Sequence, residues 1–450
     1  MGKLFGTDGV RGLANKELTP ELALTLGKAG IYVLTKNTTA IPKVLVAADG
    51  RRSGDMLEAA LSAGICSIGA EVYACGIIPT PAVAFLIKKY NLDAGVMISA
   101  SHNPMQDNGI KFFNSQGFKL PDEVEAEIEA VIADKTDMPC PTGADVGVIK
   151  NCSTALDDYI EFLISTVPGL NLSGMKIAVD CANGATSAVA PRVFEKLGAE
   201  VHALHHSPDG CNINADCGST HMENLKKYVK ENNMNLGLAF DGDGDRMLAV
   251  DENGKEIDGD VIMAICSLAL KEQGQLKDNG LVATVMSNQG LLAFAKNNGI
   301  TLHRTAVGDS YVLQKMLQDD LSLGGEQSGH IIFRKFNTTG DGVLAGVQLL
   351  AVLKQKGQSL AQAAEIMEIF PQVLVNATVP NARKAELSTN PQIKKVQVDI
   401  ESKLAEDERI LVRPSGTEPL VRVMIEGRNQ EMIDVWAREL ADVIEKSLNT

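Results

Sequence analysis

Three carboxylates alternate with two glycines in Asp241-Gly242-Asp243-Gly244-Asp245-Arg246. Like charge at this density is costly without a cation, and the glycines let the backbone turn tightly enough for alternate carboxylates to converge on one. The donors are all hard oxygens, which suit magnesium. A solvated acidic turn is the plainer alternative, but long apolar runs flank the cluster. A calcium loop of the EF-hand type would use Glu252 at its last position, yet it needs glycine where Arg246 stands. An aspartyl-phosphate phosphotransferase, with Asp241 as nucleophile and Asp243 as acid and base, is a second competitor. It leaves the next motif unexplained.

That motif is Ile98-Ser99-Ala100-Ser101-His102-Asn103-Pro104, a polar loop directly after an apolar strand, where α/β sheets place their sites. Its serines could be nucleophile, phosphate carrier or turn residues, and alone it reads as a turn. Gly324-Gly325-Glu326-Gln327-Ser328-Gly329-His330 offers a carboxylate, an amide, a hydroxyl and an imidazole. Sugar hydroxyls both donate and accept, so an acceptor such as Glu326 beside the Ser328 hydroxyl suits them. A simple polar loop has equal weight there. In Arg413-Pro414-Ser415-Gly416-Thr417-Glu418-Pro419, followed by Arg422, guanidinium forks flank small hydroxyl residues and glycine, a combination that binds dianionic phosphate. A strand-connecting turn is the alternative. Each motif is modest alone; together they describe phosphoryl transfer on a sugar.

The elements that must position these motifs are short apolar runs alternating with amphipathic stretches, the pattern of α/β domains with buried strands. Lys43–Ala48, Ala94–Ile98, Lys176–Asp180 and Leu236–Phe240 read as strands, and 56–69 as a helix. From Phe370-Pro371 the texture changes: 373–379, 396–400, 410–413 and Leu420–Glu426 read as strands, closed by a helix over 430–447. Punctuation at 139–143 and 251–254 suggests boundaries. The expected fold class is α/β with four domains. Residues 1–150 carry the serine loop, 151–255 the aspartates, 256–369 the Glu326 loop, and 370–450 an α+β domain with the phosphate loop.

At 450 residues, 45% hydrophobic and 22% charged, the chain can fill several cores and is not a disordered protein. Its net charge of -15 is spread along the chain, which disfavours nucleic acid or an anionic membrane as partner. An acidic protein with an anionic substrate must build a local basic pocket. The first residues lack the basic start and apolar core of a secretory signal, and no run reaches the ~20 apolar residues of a span, so a cytoplasmic location is expected. The eight cysteines are scattered and read as reduced thiols. Cys211, Cys217 and His221 approach one another, but their spacing fits no common four-ligand zinc pattern.

With these residues in view, the chain resembles the α-D-phosphohexomutase superfamily over essentially its whole length, with all four motifs in that family's order. The resemblance implies four domains around a central cleft, three of them similar. Ser101 would carry the phosphoryl group, and Asp241, Asp243 and Asp245, with a phosphate oxygen on Ser101, would hold one Mg2+. Glu326, Ser328, His330 and Arg246 would bind substrate, and Arg413, Ser415, Gly416, Thr417 and Arg422 its phosphate. Arg11, Lys111 and His102 would lie near the transferring group, with Lys111 a candidate acid or base. The implied activator is glucosamine 1,6-bisphosphate or glucose 1,6-bisphosphate, and a homodimer is implied by the same analogy. Lys3 to Gly12 and the 325–330 loop point within the family to glucosamine phosphates as substrate, ahead of mannose or glucose phosphates. A sugar-phosphate-binding protein without turnover is the rival class.

Overall fold

The computed structural model describes residues 4–6, 8–405, 407–415 and 419–449. They form two compact units, one comprising Met1–Met286 with Thr301–Ile366, the other Ser287–Ile300 with Met367–Thr450.

The first unit contains three sheets. The first runs β1-β5-β4-β2-β3-β6, from β1 (Val10–Leu13), β2 (Lys43–Ala48), β3 (Glu71–Ile77), β4 (Ala94–Ile98), β5 (Asp107–Asn114) and β6 (Ile149–Asn151). The second runs β11-β10-β9-β7-β8, from β7 (Lys176–Asp180), β8 (Glu200–Leu204), β9 (Leu236–Phe240), β10 (Met247–Asp251) and β11 (Glu256–Ile257). The third runs β13-β12-β14-β15, from β12 (Gly280–Thr284), β13 (Thr301–Thr305), β14 (Leu323–Gly325) and β15 (Ile331–Phe333).

One device recurs in all three sheets. A parallel strand buried along its length (β4, β9, β14) ends in a polar loop, and the chain returns antiparallel beside it (β5, β10, β15). The loops between are those of Ser101, Asp241 and Glu326. The central strands are apolar throughout because helices cover both sheet faces. The helix Pro20–Thr35 begins where sequence chemistry dictates: Thr19 accepts from the Leu22 N–H at 3.2 Å, and Pro20 occupies the first turn. It meets the helix Gly54–Ser67 through Gly27 and Gly64, where a Cβ would lie 2.5 and 2.2 Å from carbonyl oxygens of the facing helix.

The second unit has an antiparallel sheet ordered β16-β18-β17, from β16 (Gln372–Thr378), β17 (Arg409–Pro414) and β18 (Leu420–Glu426). The helix Gln430–Leu448 buries Ile433, Ala437, Leu440 and Ile444. One expected strand is overturned: 396–400 lies inside a helix, Pro391–Glu401. Asn390 accepts from the Gln392 and Ile393 N–H groups, Pro391 fits the first turn, and Ile393 and Ile400 bury one face at helical spacing. The Val and Ile content suggested a strand; the cap and the spacing decide otherwise.

The mixed α/β class with a final α+β domain is thus the observed architecture. All eight cysteines are free thiols. Among the described residues no helix is long and apolar enough to cross a membrane.

Candidate active site

The Ser101 hydroxyl donates to Asp241 Oδ2 at 2.6 Å, so the first two polar loops meet. Ser101 is buried, with φ of 52°, a left-handed conformation costly for a side chain other than Gly, Asn or Asp. Its surroundings hold it there. Its N–H donates to Ser99 Oγ at 2.9 Å, and the Ser99 hydroxyl donates to Asp49 Oδ2 at 2.6 Å. Its carbonyl accepts from Arg51 and from Asn214 Nδ2, each at 2.9 Å. Arg51 also donates to the carbonyls of Asn103, Pro104 and Asp107, so one buried guanidinium gathers the whole loop. Asp49 pairs with it at 2.8 Å.

Arg51→Lys keeps the charge but loses the fork, since one ammonium cannot reach four carbonyls. Turnover is expected to fall about 10- to 100-fold with KM little changed, because the loop is misplaced while substrate contacts remain. Steady-state kinetics check this, and unchanged turnover would remove Arg51 as a positioning residue.

The three aspartates converge. One carboxylate oxygen from each of Asp241, Asp243 and Asp245 lies within 4.8 Å of the others, and all three residues are buried. Glycine makes this possible: a Cβ on Gly242 would lie 2.6 Å from the Ser101 carbonyl oxygen, and Gly244 has φ of 72°. Asp243 Oδ1 and Asp245 Oδ1 are buried without a hydrogen-bond partner among the described residues. Burial, then the charges of Asp245 and Asp243, push the Asp241 carboxyl well above the carboxylate range. Unmet oxygens and mutual repulsion are what a hard cation relieves, so these residues fit a magnesium ion. An EF-hand is excluded, because residues 247–251 form β10.

Cations adjoin the cluster. Lys111 Nζ, fully buried, lies 2.8 Å from Asp243 Oδ2 and 2.9 Å from Asp8 Oδ2. Burial alone would lower its pKa, but Asp243 and Asp8 outweigh it and raise it, so Lys111 stays an ammonium. Arg11 pairs with Asp8, and Lys119 bridges Asp8 and Asp309 at 2.7 and 2.6 Å. Burial would raise the Asp8 carboxyl, but Lys111, Lys119 and Arg11 hold it well below the usual range. The Nε donors of Arg11 and Arg246 are buried and without a hydrogen-bond partner among the described residues. Arg246 Nε faces Asp245 Oδ1 at 3.8 Å, and this meeting of cationic donors and carboxylate acceptors suits a metal and a phosphate together. His102 Nδ1 lies 3.4 Å from the Ser101 hydroxyl, and partial burial with Arg246 and Arg11 lowers its pKa, leaving the ring able to accept a proton.

The 326–330 loop packs on the same centre, its Gly329 carbonyl accepting from the Met247 N–H at 3.1 Å. Glu326 and Ser328 are half-buried on it. His330 differs: its ring is buried, and Nε2 accepts from the Gly340 N–H at 3.2 Å, so it braces the backbone.

In the second unit, Arg413 and Arg422 are directly paired across β17 and β18. Like charges opposite one another destabilise a sheet, and burial plus Arg422 lowers the Arg413 pKa. Two guanidinium groups at one register position suit an anion. Ser415 adjoins them, its carbonyl accepting from Lys384 at 2.6 Å; Gly416 and Thr417 lie outside the described residues.

Sequence reasoning passed over Asp8, Arg51, Asp49, Lys119, Asp309 and Asn214. A charged pair closing the apolar strand β2 was a usable signal for Asp49 and Arg51. The others act across long separations that leave no local mark.

Comparison with known proteins now bears on this geometry. Models of the phosphoglucomutase/phosphomannomutase α/β/α domains I, II and III match residues 2–138, 157–254 and 258–370, and that of the C-terminal domain matches 374–443. The phosphoglucosamine mutases of Acetivibrio thermocellus and Clostridium novyi are each 56% identical over 449 and 451 residues, covering 100% of both chains in each case. The fold matches a phosphoglucomutase/phosphomannomutase family protein of Burkholderia thailandensis, TM-score 0.82 at 22% identity, covering 99% of this chain and 97% of that one. It also matches Aspergillus fumigatus N-acetylphosphoglucosamine mutase in complex with GlcNAc-6P and magnesium, TM-score 0.72 at 17% identity, covering 99% and 96%. The convergence of serine and aspartate loops therefore has its setting: this chain belongs to the phosphoglucomutase/phosphomannomutase family, with all four of its domains present.

Proposed function

We propose that the protein interconverts glucosamine 6-phosphate and glucosamine 1-phosphate through a phosphorylated Ser101 and a 1,6-bisphosphate intermediate, as a cytoplasmic supplier of amino-sugar precursors. The observation that carries this is the 2.6 Å contact between Ser101 and a buried triad of carboxylates. Full-length identity to phosphoglucosamine mutases supports the substrate.

Phosphoryl transfer is governed by alignment and charge stabilisation. Asp241, Asp243 and Asp245 would hold magnesium, which when bound neutralises charge on the phosphoryl oxygens. Arg51 and Asn214 fix Ser101 in line for transfer. When a substrate hydroxyl attacks the phosphoserine, the P–O bond to Ser101 breaks and Ser101 Oγ takes a proton back, while the attacking hydroxyl loses one. His102, 3.4 Å from Ser101 Oγ, would accept the proton that the attacking hydroxyl loses and pass it to that oxygen. Lys111, Arg11 and Arg246 offset the charge of the moving group. Glu326 and Ser328 read hydroxyls of the sugar, and Arg413, Ser415 and Arg422, with Gly416 and Thr417, suit the phosphate not being transferred. The bisphosphate turns over and returns its other phosphate to Ser101, so a glucosamine or glucose 1,6-bisphosphate also serves as activator.

The test is kcat/KM on the 6-phosphates of glucosamine, glucose and mannose with the bisphosphate present. Glucosamine 6-phosphate is expected to be best; a higher value on mannose or glucose would reassign the substrate and leave the chemistry standing. Chelation of divalent ions is expected to reduce turnover to background and Mg2+ to restore it, whereas full activity in excess chelator would exclude the metal role.

A further inference from the structure

The carboxyl end of β7 carries a second cluster of unlike groups. Asp180 closes β7, His205 directly follows β8, and the loop after His205 returns Cys217 to them. One oxygen, one ring nitrogen and the sulfur lie within 4.8 Å of one another. His205 Nδ1 is 2.9 Å from Asp180 Oδ2, and Asp180 and Cys217 are buried.

We propose that Asp180, His205 and Cys217 form a site for a borderline divalent metal of the zinc class, distinct from the aspartate triad. The chemistry of the donors separates the two: thiolate and imidazole select zinc or cobalt, while three carboxylates select magnesium. A tetrahedral zinc with bonds of about 2.0 to 2.3 Å sets its ligand atoms about 3.5 Å apart, so the 2.9 Å contact of His205 with Asp180 would open slightly as the ion replaces the shared proton, with Cys217 already within 4.8 Å of both. The His205 side chain is 29% exposed, which leaves an approach for the ion and a water as fourth ligand. The backbone is built around the spot under strain: Ala182, Asn183 and His205 have φ of 53°, 48° and 43°. The Asn183 N–H donates to the His205 carbonyl at 2.6 Å, tying the two loops together. Cys211 and His221, which adjoin Cys217 in sequence, are exposed and take no part. The ligand loop between His205 and Cys217 also carries Asn214, which donates to the Ser101 carbonyl, so occupancy bears on the segment that braces Ser101.

The experiment is a cobalt titration of the full-length protein, kept reduced without thiols and saturated with Mg2+. A thiolate-to-cobalt charge-transfer band is expected, saturating at one equivalent, because the aspartate triad has no sulfur to produce it. Cys217→Ser should abolish the band and Cys211→Ser should leave it intact. His205→Asn, which the left-handed backbone tolerates, should weaken cobalt binding at least ~10-fold and supports the assignment even if Cys217→Ser folds poorly. A parent protein without the band, or a band that persists in Cys217→Ser, overturns the site.

Discussion

Ser101→Ala is expected to lower turnover at least ~10³-fold on every hexose phosphate, and to abolish the phosphorylated form of the intact protein. The substitution removes a single oxygen from a small buried side chain, so the loop itself should survive. Its frame is made by backbone groups: the 101 N–H still donates to Ser99, and the 101 carbonyl still accepts from Arg51 and Asn214. What disappears is the atom that alternately holds and releases the phosphoryl group. Kinetics and intact-protein mass spectrometry read the two effects separately. An aspartyl-phosphate mechanism through Asp241 makes the opposite forecast, since the variant would keep turning over and its phosphoenzyme would yield to hydroxylamine. Either of those results would end the phosphoserine account.

Lys111→Met should be the most damaging change to stability near the site. The ammonium is buried between Asp8 and Asp243, and removing it leaves Asp243 a buried charge without a cation, while Asp8 keeps Arg11 and Lys119. Breaking a buried pair in this way costs about 3 to 5 kcal/mol, more than the thioether can recover by packing. The pH dependence follows from the direction of the shifts. Asp8 and Asp243 are held below 3.8 in the folded protein, so their stabilisation is complete above that value and fades as pH falls through the lowered folded values. Lys111 is raised above 10.5, so its contribution is complete below that value and is lost only at higher pH. The deficit of the variant should therefore be largest near neutral pH and shrink toward pH 4, where Asp243, left without its cation, takes up a proton while Asp8 keeps Arg11 and Lys119. Thermal unfolding in chelator across that range checks it; a deficit independent of pH would mean that the loss is one of packing. Activity should fall as well, since a cation beside the transferring phosphate is gone.

The strands and the four chemistry-bearing loops were legible because each leaves a local trace. Alternating runs of Val, Ile and Ala announce buried strands, and Asp-Gly repeats or Ser-His-Asn-Pro interrupt them abruptly. The meeting of the serine and aspartate loops was inferred from mutual chemical sense, and in Ser101 against Asp241 a separation of 140 residues vanishes in space. Where a local trace misleads, as in 396–400, β-branched content masks a helix whose cap lies several residues upstream. The Asp8–Lys119–Asp309 chain of charges is invisible for a different reason: its members are ordinary surface-type residues, and only tertiary burial makes them a network.

The left-handed torsion at residue 101 also bears on which alcohol can be the carrier. Threonine has the same hydroxyl and forms an equally serviceable phosphate ester, but its branched Cβ crowds the backbone at φ of 52°. Geometry thus narrows a choice that reactivity leaves open, and the primary alcohol holds this post because it is the slimmer of the two.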